Sequence, residues 1–272
     1  MNVVLIDIDS LRPDHIGAYG YPKPTTPNID GLATDGVRFD NAYTANSPCI
    51  PSRAALLTGR PGVDTGVVTH GPDGQSVAYP ATDGTHPWAG SWRDPVDSPK
   101  KWDTLPELFY RQRTYTAAVS SFPRHPAPWF HRSWHRFEYP QEPPGDDESF
   151  QTVRGARVAR KAADIVAARA NADFLLYAQY WDPHGPYNRS TEEVDRFRGV
   201  EHPYPTEDQI QDHQLWDQRR SAARMGIAGR DDLEGLLAGY DAEIRYVDEQ
   251  VGVLLDALRR EGVYDDRRIV LA

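Results

Sequence analysis

The chain has 272 residues, of which 39 % are hydrophobic, and this is enough for a substantial core and excludes global disorder. Its net charge of −10 repels phosphate backbones and argues against nucleic-acid binding. No apolar run approaches the roughly 20 residues that cross a bilayer, and the acidic first segment lacks the cationic start of a signal peptide, so we expect a cytoplasmic protein without membrane contact.

The first part of the chain predicts strands and helices in alternation. Residues 3–9 form an apolar, β-branched run that is typical of a buried parallel strand, with acidic residues at its carboxyl end. Residues 27–36 predict a short helix that ends at a glycine, and residues 37–43 predict a second strand. Residues 52–58 have helix-forming composition.

The remaining elements follow the same alternation, with helices at 103–111 and 151–169 and strands at 114–119 and 174–180. The clearest helix covers residues 233–258, where apolar side chains recur mostly at spacings of three and four. Residues 267–272 then begin an apolar strand. This order predicts an α/β fold with a mostly parallel central sheet flanked by helices.

The motif that points to chemistry surrounds Cys49, whose solitary occurrence excludes internal disulfides and cysteine-based zinc clusters. Residues 49–60 match C-x-P-S-R followed by x-x-x-L-T-G-R, which resembles the signature of the type I sulfatases. Four further segments resemble that family in its own order: residues 2–20, 26–30, 181–187 and 240–262. The resemblance implies an alkaline-phosphatase-like fold, with residues 1–272 forming most of the N-terminal catalytic domain.

The resemblance also implies a nucleophile made from Cys49. In the family, a formylglycine-generating enzyme that reads C-x-P-x-R oxidises the cysteine to formylglycine, whose hydrated aldehyde is a geminal diol. One hydroxyl attacks sulfur, and the other loses its proton and collapses the adduct, which expels sulfate. Arg53, one helical turn after Cys49, is expected to hydrogen-bond the nucleophile and the anion that it attacks. Before modification, we expect Cys49 to be a thiol with a pKa near roughly 8.5, or somewhat lower beside Arg53.

The implied metal is a hard divalent cation, Ca²⁺ or alternatively Mg²⁺ or Mn²⁺. Asp9 aligns with the first member of the family's Asp-Asp metal pair, and Ser10 replaces the second member. Asp7 lies on the same strand face and either supplies a compensating ligand or supports one. We expect the remaining metal motif and the smaller C-terminal domain to follow Ala272, so that the chain, truncated there, is inactive alone and binds metal weakly.

Histidines are the expected substrate contacts. His184 aligns with the family histidine that contacts the sulfate and the leaving oxygen, and imidazole can protonate an alkoxide near neutral pH. His70 either contacts the substrate or is an ordinary loop histidine. The family's Gly-Lys-Trp-His segment has no lysine counterpart here, so His125, His131 or Arg124 is the candidate for that sulfate contact.

These observations leave three functions open. The leading one is hydrolysis of a small sulfuric ester by a sulfatase. The second is hydrolysis of a phosphonate or phosphate ester with the same modified cysteine, which Ser10 favours because phosphonate monoester hydrolases carry a neutral residue there. The third is a non-catalytic fragment that binds an anion through Arg53 and His184.

Overall fold

The computed structural model of the protein describes residues 3–65, 67–68, 103–121, 128–140, 154–199, 230–265 and 268–272. The chain divides into two compact units. The first consists of Met1–Asp9, Phe39–Trp181 and Val253–Ala272, and the second of Ser10–Arg38 and Asp182–Gly252. Within the described ranges, no helix combines the length and the apolar character that crossing a bilayer requires.

The first unit is built on a parallel sheet. Its strands are β1 (Val3–Ile8), β2 (Tyr115–Ser120), β3 (Arg136–Glu138), β4 (Phe174–Tyr180) and β5 (Arg268–Leu271). They lie in the order β3-β2-β4-β1-β5, and every neighbouring pair is parallel. All of β4 is buried, as expected for the central strand of a parallel sheet. The predicted α/β fold with a parallel sheet is therefore confirmed.

The helices, in chain order, are α1 (Pro27–Asp35), α2 (Cys49–Thr58), α3 (Gly62–Thr65), α4 (Leu105–Arg111), α5 (Gly155–Arg169), α6 (Thr191–Asp195) and α7 (Arg230–Arg260). Helix α2 buries an apolar face in a core that includes Leu5 of β1 and Tyr177 of β4. Burial of these side chains, each worth about 1.5–3 kcal/mol, fixes α2 against the sheet. Gly59 ends the helix in the left-handed conformation, with φ of 66°.

The second unit contains a buried carboxylate that three side chains contact. Asp241 of α7 accepts hydrogen bonds from the Tyr21 hydroxyl at 2.7 Å and from Lys23 Nζ at 3.0 Å. Both of these hydrogen bonds go to Oδ2 of Asp241, and His15 Nδ1 lies 2.7 Å from Oδ1. Because Asp241 is fully buried, these partners offset the cost of removing its charge from water.

The structure differs from the sequence-based expectations at three places. The strand predicted at residues 37–43 is wrong: its alternating apolar side chains Val37, Phe39 and Tyr43 are 81, 70 and 87 % exposed. The alternation suited a half-buried strand, but β1 pairs with β4 and β5 instead. Helix α2 begins at Cys49 rather than Ser52. The prediction also missed β3, whose length of three residues is too short for a periodic signal.

Candidate active site

The candidate site begins with two carboxylates at the carboxyl end of β1. Asp7 is paired in register with Gln179 of β4, and the backbone N–H of Asp9 donates to the carbonyl of Tyr180 at 3.0 Å. Asp9 lies two positions after Asp7, so both side chains point to the same face of the sheet. Their exposed fractions are only 7 and 4 %. Buried carboxylates at this edge need a compensating charge.

Arg53 supplies that charge. Its Nε donates to Asp7 Oδ2 at 2.7 Å, and its Nη2 donates to Asp9 Oδ2 at 2.9 Å. Burial alone would lower the pKa of Arg53, but the adjacent Asp7, Tyr177 and Asp9 outweigh it and raise that pKa well above the usual value. The guanidinium is therefore permanently charged. Two carboxylates and one guanidinium leave this cluster with one net negative charge.

Tyr177 is the site residue that the sequence analysis missed. Its hydroxyl donates a hydrogen bond to Asp7 Oδ2. Burial and the nearby Asp7 raise the pKa of the Tyr177 phenol well above its usual range, so the hydroxyl remains a neutral donor. The signal for it is the β1–β4 register, which pairs Tyr177 with Leu5 and so places it on the sheet face that Asp7 shares.

Cys49 is the first residue of α2, and its Sγ lies 3.6 Å from Asp9 Oδ1. Burial, followed by the negative charge of Asp9, raises the pKa of the Cys49 thiol to about 11, while Arg53 opposes the rise. The expectation of a value near 8.5 or lower is therefore wrong. The expectation overlooked, first, that the thiol is partly buried and, second, that the negative charge of Asp9 lies beside the sulfur, whereas Arg53 is paired with both Asp7 and Asp9.

The raised pKa of Cys49 predicts that its thiol reacts slowly with alkylating reagents before maturation. At pH 8, only about one Cys49 side chain in a thousand is a thiolate if its pKa is about 11. In chelator-containing buffer, iodoacetamide labelling measured by mass should accelerate nearly tenfold per pH unit beyond pH 9. Asp9→Asn should label faster at pH 8, because it removes the adjacent negative charge. A plateau in the wild-type labelling rate near pH 9 would show that the pKa of the Cys49 thiol is not raised in this way.

The donor chemistry of Asp7 and Asp9 fits a hard divalent cation, which takes carboxylate oxygens and would neutralise the remaining negative charge of the cluster. Both oxygens of Asp7 are approached by Arg53, and Tyr177 also donates to one of them. Asp9 has one oxygen turned toward Cys49. Across the part of the chain that the structure describes, no three His, Cys, Asp or Glu side chains converge as a ligand group. Asp7 and Asp9 are thus ligands of the type that such a cation prefers, and they supply two of the six or more that it takes.

His184 lies in the second unit, on the segment that follows β4 in sequence. Its Nδ1 is 2.8 Å from the carbonyl oxygen of Gly185. Because a carbonyl can only accept, Nδ1 carries the hydrogen, and Nε2 is the nitrogen that gains or loses a proton. This contact leaves Nε2 as the nitrogen through which the ring can accept a proton and, once protonated, donate it.

The other predicted substrate contacts divide into two groups. His70, His125 and Arg124 lie outside the described residues. His131 ends a short 3-10 helix at Pro128–His131, and its ring packs on Phe137 with centroids 4.5 Å apart. The structure therefore brings together Asp7, Asp9, Cys49 and Arg53 within the first unit.

Comparisons with known proteins identify relatives along the whole chain. A family model described as Sulfatase matches residues 1–271. The uncharacterized sulfatase YidJ of Escherichia coli (strain K12) is 26 % identical over 283 residues, which cover 96 % of this chain and 54 % of that protein. Arylsulfatase A of Homo sapiens is 56 % identical over 59 residues, 22 % of this chain and 12 % of that protein.

Solved structures show the same fold. A putative sulfatase from Bacteroides thetaiotaomicron VPI-5482 superposes with a TM-score of 0.68 at 21 % identity, covering 99 % of this chain and 57 % of that one. The phosphonate monoester hydrolase of Agrobacterium radiobacter gives a TM-score of 0.66 at 19 % identity, covering 99 % of this chain and 61 % of that one. The chain thus spans little more than half the length of these relatives.

Proposed function

The chain belongs to the sulfatase family and has its alkaline-phosphatase-like fold, and on that premise we propose that the protein hydrolyses a small sulfuric ester through a formylglycine derived from Cys49. One observation carries the proposal: Cys49 begins α2 with its sulfur against Asp9, one helical turn before the buried Arg53. The proposed nucleophile Cys49, the carboxylate of Asp9 and the guanidinium of Arg53 therefore lie together.

A formylglycine hydrate supplies two hydroxyls on one carbon, one to attack sulfur and one whose deprotonation releases the sulfate. The N-terminus of α2 carries that carbon where backbone N–H groups and the helix dipole favour an anion. The Arg53 guanidinium stabilises the charge that develops on the sulfuryl oxygens. His184 donates a proton from Nε2 to the departing oxygen.

Asp9 and Asp7 are the residues that we propose to hold a divalent metal, Ca²⁺ before Mg²⁺ or Mn²⁺. Their support is the carboxylate pair on one strand face and the net negative charge that remains after Arg53 is counted. Bound there, a cation supplies positive charge beside the nucleophile and lowers the barrier for attack on an anionic ester.

The proposed maturation partner is a formylglycine-generating enzyme that reads Cys49, Pro51 and Arg53. In the folded protein, Pro51 and Arg53 are buried and Cys49 is half-buried, so little of the motif is accessible to another enzyme. The maturation step therefore belongs to the unfolded or nascent chain. This proposal is supported by the geometry of α2. Every activity assay below therefore uses the full-length protein co-expressed with the maturation enzyme.

A second candidate is hydrolysis of a phosphonate monoester. Its support is Ser10, a neutral residue directly after Asp9, with φ of 59° and a carbonyl that accepts a 2.6 Å hydrogen bond from the Tyr240 hydroxyl. One co-expressed preparation should be assayed with 4-nitrophenyl sulfate and with a 4-nitrophenyl phosphonate monoester, since the two share a leaving group. A higher kcat/KM on the sulfate supports the leading proposal, and a higher value on the phosphonate replaces it.

Replacing His184 with alanine should slow substrates with poor leaving groups by about 100-fold or more, and those with good leaving groups by less than about tenfold. The reason is that protonation matters only when the departing oxygen is basic. The measurement is kcat/KM across a series of aryl and alkyl sulfates in co-expressed protein. A uniform loss across the series would show that His184 binds substrate without protonating it.

A further inference from the structure

The segment that carries His184 lies against one face of α7 within the second unit. The Tyr187 ring pairs with the Tyr240 ring, with centroids 5.5 Å apart. At Gly239 the backbone approaches so closely that an added Cβ would lie 3.3 Å from Tyr187 Cβ. On α7, Gly239 therefore leaves room for the close approach of Tyr187, and the ring of Tyr240 packs beside it.

Glu243, one turn after Gly239 on the same helix, contacts two consecutive residues of the segment. Its Oε1 accepts a 2.8 Å hydrogen bond from the backbone N–H of Asn188, and its Oε2 forms an ion pair with Arg189 Nε at 2.7 Å. The Arg189 guanidinium also lies over the Tyr246 ring, 3.9 Å from its centroid. These contacts fix the end of the segment to the helix.

Arg189 also approaches the beginning of the segment, because its Nη2 is 3.9 Å from Asp182 Oδ1. Asp182 and Arg189 thus tie together the two ends of the loop that contains His184. The Glu243 side chain is only 2 % exposed, and burial raises its pKa although Arg189 opposes the rise. A buried ion pair is a weak way to stabilise a fold, since apolar packing often serves as well. Fold stability alone therefore does not explain why the Glu243–Arg189 ion pair lies at the end of this loop.

We propose that Glu243 is a positioning residue for His184: through Asn188 and Arg189 it holds the 182–189 loop so that the imidazole reaches the leaving oxygen. This inference rests on the proposed function and extends it to a residue of α7. Glu243 itself does not contact the reacting atoms in this account. Its effect on the reaction must therefore pass through His184.

The test compares Glu243→Ala, Glu243→Gln and the matched control Glu249→Ala, which removes an exposed carboxylate of the same helix that pairs with Arg245. In co-expressed protein, Glu243→Ala should lose about tenfold in kcat/KM on poor leaving groups and little on good ones. Glu243→Gln keeps an acceptor for the Asn188 N–H and should recover part of the loss. Glu249→Ala should match the wild type.

The deciding comparison is made in the His184→Ala background, where Glu243→Ala should cause no further loss on poor leaving groups. Additive losses, or an unchanged dependence on the leaving group, would overturn the inference. Hydrogen exchange of the 182–189 segment gives a readout independent of turnover, and Glu243→Ala should accelerate it. If the full-length wild type hydrolyses none of the esters, the proposed function fails, and unchanged exchange in that segment would separately refute the positioning role.

Discussion

Replacing Arg53 with methionine should lower the free energy of unfolding by about 3–5 kcal/mol, because Asp7 and Asp9 would remain buried without their shared cation. The same change should reduce kcat/KM by more than about 100-fold, since charge developing on the sulfuryl group would lose a charge-assisted partner. Urea denaturation and steady-state kinetics measure the two effects separately.

The controls for Arg53 separate a shared buried charge from an ordinary ion pair. Arg196→Met removes an exposed pair with Glu192 and should change stability by less than about 1 kcal/mol. Adding Asp7→Asn to the Arg53→Met variant should recover part of the lost stability, because it removes one uncompensated carboxylate. Equal losses for Arg53→Met and Arg196→Met would contradict the account of the cluster.

Replacing Cys49 with serine should abolish multiple turnovers, a loss of more than about 1,000-fold in the steady state. A serine hydroxyl can attack sulfur once, but it has no second hydroxyl on the same carbon to release the sulfate. The variant should therefore accumulate a sulfate ester on Ser, an added mass of about 80 Da on the peptide that contains position 49. Cys49→Ala, which has no nucleophile, should gain no mass. A serine variant that turns over at the wild-type rate would exclude the diol mechanism.

The parts of the fold that could be predicted are those whose signal is local. The strand at residues 3–9 and the buried strand at 174–180 are contiguous apolar runs, and α7 shows a helical period over many turns. Residues 37–43 have the same local alternation as a strand, yet the neighbours of β1 are β4 and β5, so no strand forms there. Pairing partners distant in sequence decide such cases, and alternation alone carries no information about them.

The same division holds in the site. Cys49 and Arg53 belong to one motif on one helix, so their proximity follows from the spacing of a helical turn. The contact of Tyr177 with Asp7 depends on the β1–β4 register across 170 positions and is invisible to local patterns. The high pKa of Cys49 is equally non-local, because it depends first on burial of the thiol in the folded chain and then on the negative charge of Asp9, 40 positions away in sequence.

The claim on which the whole account depends is that Cys49 is the precursor of the nucleophile. The most direct measurement is the mass of the peptide containing Cys49, from protein co-expressed with a formylglycine-generating enzyme and from protein made without it. The account predicts a loss of about 18 Da in the first preparation, as the thiol is replaced by an aldehyde, and an intact thiol in the second. An unmodified cysteine after co-expression, in a protein that nevertheless hydrolyses sulfate esters, would contradict it.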